Sequence, residues 1–170
     1  MKTLRLLFAC AAACTAFIAC SDDDSDNNTN ETDNIAGRYT LITVIAPEMV
    51  DFDGNGVVSA NLMDESVCYL NSHITLKDDH TYEAEYNHVL LESETGCTTE
   101  TATGTWEKAS NLIILTNTSV GPEHLITNVN YSPGLLTNVL NNAPYPTVDE
   151  EGNEVYAQGT ITLSYERVEE

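Results

Sequence analysis

One stretch of this chain sets oxygen-bearing side chains at alternate positions: Asp51-Phe52-Asp53-Gly54-Asn55-Gly56-Val57-Val58-Ser59. A hard divalent cation such as Ca²⁺ takes about six to eight oxygen ligands, and a glycine at the sixth place permits the turn that points them inward. Asp51, Asp53 and Asn55 can offer side-chain oxygens, Val57 its backbone carbonyl, and Ser59 a hydroxyl or a bridging water. Where a helix-loop-helix calcium site carries its closing Glu, this chain has Leu62, and no helix pair is evident on either side. Asp64 and Glu65 lie close enough to supply the missing carboxylate if the chain turns there. Asp, Asn and Gly also favour turns with no ion at all, and both readings stay open here. A loop with so few carboxylates would bind a structural Ca²⁺ weakly, at about 10⁻⁴ to 10⁻³ M.

Cysteine chemistry begins at the N-terminus. A basic start (Met-Lys-Thr-Leu-Arg) precedes an apolar run from Leu6 to Ala19 and then Cys20. At about 14 residues the run is short for a bilayer span and has the composition of an export signal. Phe17-Ile18-Ala19-Cys20 resembles the lipobox of bacterial lipoproteins, in which the cysteine is acylated and becomes the first mature residue; Phe17 departs from the usual Leu. Cys10 and Cys14 head rival boxes, but only Cys20 is followed at once by polar sequence. Residues 1–19 therefore read as a lipoprotein signal peptide. Residues 20–34, nearly all Ser, Asp, Asn, Thr and Glu after Cys20, read as a lipidated acidic tether without structure of its own. The acidic run after Cys20 is similar to the signal that sends Bacteroidetes lipoproteins to the outer leaflet of the outer membrane. Surface display through a palmitate-type lipid anchor is the expected location.

Losing Lys2 and Arg5 with the signal leaves 4 basic side chains against 27 acidic ones, a formal charge of −23. Such a chain is repelled by phosphate backbones, so nucleic acid is excluded as a partner, and divalent cations are its natural counter-ions. Of the five cysteines, only Cys68 and Cys97 remain uncommitted. An even pair in an oxidising compartment reads as a disulfide rather than a metal or redox site. Closing a loop of roughly 30 residues would stabilise the fold by about 3 to 4 kcal/mol in the chain-entropy model.

No catalytic constellation emerges, and the chain reads as a non-enzyme. His73, His80, His88 and His124 lack the short spacing of a zinc site. No Gly-x-Ser-x-Gly elbow accompanies the many Ser-His-Asp combinations an acidic chain allows. Glu83 with Glu85, and Glu92 with Glu94, read as solvated strand faces. Trp106 and Tyr39 read as core.

The elements that must position the loop and the cysteines are strands. Residues 35–46 are β-branched and aromatic, and a period of two puts Tyr39, Leu41, Thr43 and Ile45 on one side. A weaker segment, 57–70, has room for a helical turn near Asn61 to Glu65. Runs at 73–77 and 81–91, at 98–108 and 112–118, and at 124–131 and 135–140 flank short turns at 78–80, 109–111 and 132–134. A last run, 155–168, alternates Ile161, Leu163 and Tyr165 with Thr160, Thr162 and Ser164. Short strands at this spacing without a long amphipathic helix indicate an all-β meander over residues 35–170, closed as a barrel or sandwich.

Gly37-Arg38-Tyr39 and Gly104-Thr105-Trp106, the latter followed by the strand Leu112 to Thr116, resemble the Gly-x-Trp/Tyr elements of lipocalin-like barrels. Together with Cys68, Cys97 and the acidic insertion before Cys68, they make the chain similar to the lipocalin-like domain of many Bacteroidetes lipoproteins. The resemblance implies an up-and-down barrel of about eight antiparallel strands, large enough to be filled by side chains or to hold one small ligand. Two functions follow as expectations: a monomeric, membrane-anchored binder of a small hydrophobic molecule, whose ligand-binding residues are unknown, or a structural or interaction lipoprotein with a filled barrel. Mass spectrometry of the exported protein without reduction should find Cys68 and Cys97 joined; two free thiols would contradict the pairing.

Overall fold

The computed structural model describes residues 35–119 and 125–169. All belong to one unit spanning Glu31–Glu170. The expected signal peptide, Cys20, the tether and His124 lie outside the described residues. Among the described residues nine strands run in chain order: β1 Gly37–Val50, β2 Ser59–Asn61, β3 His73–Leu76, β4 Thr81–Val89, β5 Cys97–Ala109, β6 Leu112–Asn117, β7 Leu125–Ser132, β8 Leu135–Val148 and β9 Glu154–Arg167. One short helix, α1 Leu62–Glu65, and a 3₁₀ turn, Val67–Tyr69, lie between β2 and β3.

Every strand is antiparallel to its neighbours. The order β1-β3-β4-β5-β6-β7-β8-β9 returns to β1, closing an eight-stranded barrel, and β2 adds to the far part of β1. Closure runs from Tyr39 opposite Arg167 to Ile45 opposite Thr162. The turns form where polar residues allow a positive φ: His80 (62°), Ser110 (59°) and Gly134 (76°). Asp79 Oδ1 fixes the first by accepting from the Thr81 backbone N–H at 2.9 Å.

Two strands depart from simple alternation. In β1 a bulge at Ile42 sets two residues against one of β9 and exchanges the faces beyond it. Val44 and Ala46 are buried at 2% and 4% exposure while Ile45 is 38% exposed, which corrects the expectation that Thr43 and Ile45 share the face of Tyr39 and Leu41. The strand also continues through Pro47 to Val50. In β8 a bulge at Asn141 and Asn142 interrupts the ladder before it resumes at Ala143, so the strand reaches Val148 rather than ending at Leu140. Tyr156, in the hairpin of β8 and β9, donates to Val89 O at 3.0 Å and accepts from Leu91 N at 3.1 Å, tying that hairpin to the end of β4.

The core is the inward face of every barrel strand. Tyr39, Ile74, Leu76, Ile113, Leu136 and Tyr165 are each less than 2% exposed. Trp106, buried as expected, donates from Nε1 to Lys77 O at 2.9 Å and stacks, tilted, on His80 with ring centroids 4.8 Å apart. Gly104 is required in the same turn of sheet, because a Cβ there would strike the Thr116 carbonyl and the Tyr82 ring. At the start of the barrel, Tyr39 donates its hydroxyl to Ile35 O at 2.7 Å, and Arg167 donates to Ala36 O at 2.8 Å.

Burial holds several phenols in their neutral form. Desolvation raises the pKa of Tyr69, Tyr86 and Tyr165 well above the ordinary value, with a neighbouring tyrosine adding to each: Tyr156, Tyr82 and Tyr86 respectively. A folded-state pKa raised above the unfolded value of about 10 gives stability that is intact below that pH and lost as pH climbs through the folded value. The melting temperature should therefore fall as pH rises past about 10, and Tyr165→Phe should flatten that fall. Equal slopes in wild type and variant, measured by melting together with phenolate absorbance, would contradict the assignment.

Candidate functional site

β1 overshoots the barrel by several residues, and the loop it launches carries the acidic motif. Val50, 6% exposed, anchors the end of the strand in the core. Gly54 and Gly56 then adopt φ of 71° and 84°, the left-handed region that side chains avoid, and turn the chain back. Within the loop, Asp51 Oδ2 accepts from Gly56 N at 3.0 Å, Asp53 Oδ1 from Asn55 N at 3.0 Å, and Asn55 Oδ1 from Val57 N at 2.7 Å.

The chain then turns as the sequence suggested. Asn61 caps α1 by accepting from Met63 N at 3.4 Å and also accepts from Val44 N at 3.0 Å, pinning the helical turn to β1. α1 delivers Glu65 beneath the loop, where it is 4% exposed and its Oε2 accepts from Phe52 N at 2.8 Å. Carboxylate oxygens of Asp51, Asp53 and Glu65 thereby lie within 4.8 Å of one another. Oxygens bound to a single Ca²⁺ at about 2.4 Å can be at most about 4.8 Å apart, so the trio has the spacing of a cation site.

One atom marks the site as incomplete on its own. Asp51 Oδ1 is buried and has no hydrogen-bond partner. A buried carboxylate oxygen without a donor carries a desolvation cost of about 1–3 kcal/mol or more, which a cation would offset directly. The other four expected ligands are arranged differently. Ser59 Oγ donates to Asp64 Oδ2 at 2.8 Å and Asn61 Nδ2 to Asp64 Oδ1 at 3.4 Å, so these polar groups satisfy one another. Asn55 Nδ2 donates to Asp53 Oδ2 at 2.8 Å, bracing one member of the trio. Val57 is exposed.

Downstream of α1 the disulfide forms between Cys68, in the 3₁₀ turn, and Cys97, at the first residue of β5, with Cα atoms 5.3 Å apart. It ties the segment that holds Glu65 to the barrel wall. Ser66 and Ser72 reinforce the same segment: Ser66 Oγ accepts from Cys68 N at 3.2 Å, and buried Ser72 Oγ accepts from Asn87 N at 2.9 Å.

The described histidines, His73, His80 and His88, are not part of this cluster. His88 lies 3.9 Å from Glu100, His80 covers Trp106, and His73 Nδ1 is 2.9 Å from Asn71 O. Glu83 is ion-paired with Lys77 at 2.9 Å on the barrel exterior, and Glu85 accepts from Asn87 Nδ2 at 3.0 Å. An open cleft of about 1110 Å³ gathers Arg38, Lys77 and Arg167, three of the four basic side chains that follow residue 20. Asp78, Glu166 and Glu169 line the same cleft and balance them. That balance was not apparent from the sequence, because the six residues come from distant parts of the chain.

Fold and site together define an all-β, disulfide-linked, eight-stranded barrel with an acidic loop launched from its first strand. Comparisons with protein-family models, with curated proteins and with solved structures found no match.

Calcium should raise the melting temperature of the protein, because a ligand of the native state stabilises it by mass action, by about 1.4 kcal/mol at roughly ten times Kd. Asp51→Asn and Glu65→Gln should abolish the shift. No shift in the wild type at millimolar Ca²⁺ would contradict a cation role for the trio.

Proposed function

We propose that this protein is a lipid-anchored, extracytoplasmic barrel of the lipocalin-like kind, displayed at the outer membrane, which works through its outer surface and loops around a filled centre. The observation that carries this reading is the inward packing of bulky side chains from all around the wall. Tyr39 and Tyr165 are 0% and 1% exposed, and Leu76, Ile113 and Leu136 close in from three other strands. Tyr86 of β4, partly buried, packs against the same core. The alternative function, carriage of a small hydrophobic molecule, needs a lumen of a few hundred Å³ lined by apolar groups. Side chains of this size leave less room for such a guest.

The anchor and the loop fit one setting. Acylation of Cys20 would place the barrel outside the cytoplasm, where a disulfide persists and Ca²⁺ is abundant enough to fill a weak site. Asp51, Asp53 and Glu65 would hold that ion, and the ion would fix the loop where it leaves β1. The lipocalin-like resemblance of Gly37-Arg38-Tyr39 and Gly104-Thr105-Trp106 supports the same assignment at the level of fold.

Native mass spectrometry of the exported protein, with displacement of a fluorescent lipid as a second readout, tests the filled barrel. The expected result is a diacyl modification on Cys20, lost in Cys20→Ala, with no further guest. A small molecule bound one to one after the Cys20→Ala exchange would establish the carrier function instead.

A further inference from the structure

Between Ala109 and Val148 the only residue among Asp, Glu, Lys and Arg is Glu123, in a chain with 27 acidic residues. This stretch contains β6, β7 and β8, so three adjacent barrel strands carry no charged side chain. The wall also parts here. β7 pairs with β8 only from Asn130 to Ser132, opposite Thr137 to Leu135. Among the described residues, Leu125–Val129 of β7 pair on the β6 side alone, and β8 beyond Thr137 pairs with β9 alone.

The two edges so exposed are not equivalent. β8 carries a bulge at Asn141 and Asn142 and prolines at 144 and 146, devices that blunt a sheet edge against further pairing. The edge of β7 has no proline, bulge or charge over Leu125–Val129. Tyr131 N donates to Asn111 O on the β6 side at 2.7 Å. Antiparallel alternation therefore turns the backbone groups of Ile126 and Asn128 toward the gap. Leu125 and Ile126 beside them are 63% and 66% exposed.

We propose that this edge is a self-association surface, at which β7 of one copy pairs antiparallel with β7 of a second copy about a two-fold axis near Thr127. A second copy is the occupant that the charge distribution favours. Two chains of strong like charge repel wherever acids face each other, and β6, β7 and β8 are a face where they do not. In a two-fold pairing the same patch meets itself. Ile126 of each copy then lies opposite Asn128 of the other, satisfying the backbone groups left in the gap and covering the exposed apolar side chains. The monomer expected from the sequence rests on no observation of this edge.

The test uses two differently tagged copies of the full chain, co-expressed and purified together. Wild-type copies should co-purify. Ile126→Glu, which adds charge at an exposed position, and Asn128→Pro, which removes a donor facing the gap, should each weaken association about tenfold or more. Val67→Glu, an equal change at a residue 76% exposed outside β6, β7 and β8, should leave it unaltered. As a measurement independent of how those variants fold, Thr127→Cys should form an interchain disulfide and Val67→Cys should not. Wild-type copies that fail to associate, or association unmoved by both edge variants, would overturn the proposal. So would capture of an unrelated extended peptide by a chain that remains monomeric.

Discussion

Pairing of β1 with β9 is the interaction on which the rest of this structure depends. A meander of strands alone has two open edges; joining the first strand to the last removes them and gives the inward side chains a common interior. The pairing covers Tyr39 to Ile45 against Arg167 to Thr162, and the two largest fully buried side chains, Tyr39 and Tyr165, belong to these two strands. Tyr39 also fastens Ile35 at the entrance to the domain. The bulge at Ile42 lets β1 keep its partner while Val44 and Ala46 turn inward and the strand runs on past the barrel.

That overshoot connects fold to site. Because β1 continues to Val50, the Asp51 loop begins from a buried anchor rather than from a free end. Asn61 binds α1 back to β1, α1 carries Glu65 under the loop, and the Cys68 to Cys97 bridge fastens the following turn to β5. Three carboxylates are thereby held close together, an arrangement that mutual repulsion would otherwise oppose. The covalent bridge and the helical turn supply the restraint, and a cation would supply the countercharge.

Much of this was legible in the sequence, for identifiable reasons. The turns at His80, Ser110 and Gly134 followed from polar residues between β-branched runs, and the helical turn near Glu65 came from the break in that pattern. Cys68 and Cys97 could be paired by elimination. Bulges were not legible, since an extra residue leaves period-two spacing intact on either side of it; Thr43 and Ile45 were therefore assigned to the wrong face, and β8 seemed to stop at Leu140. The acidic motif was visible, but its division into an Asp51, Asp53 and Glu65 trio and a separate Ser59 and Asp64 pair depends on where α1 places its last turn. Linear spacing does not determine that placement.

The bulge at Ile42 can be examined directly by comparing Val44→Ala with Ile45→Ala in denaturant unfolding. Burial of Val44 predicts a loss of about 1–3 kcal/mol for the first and under about 1 kcal/mol for the second, as expected for emptying a core position against trimming a half-exposed one. A larger loss from Ile45→Ala would mean that β1 keeps unbroken alternation, and would contradict both the closure of the barrel and the delivery of the acidic loop described above.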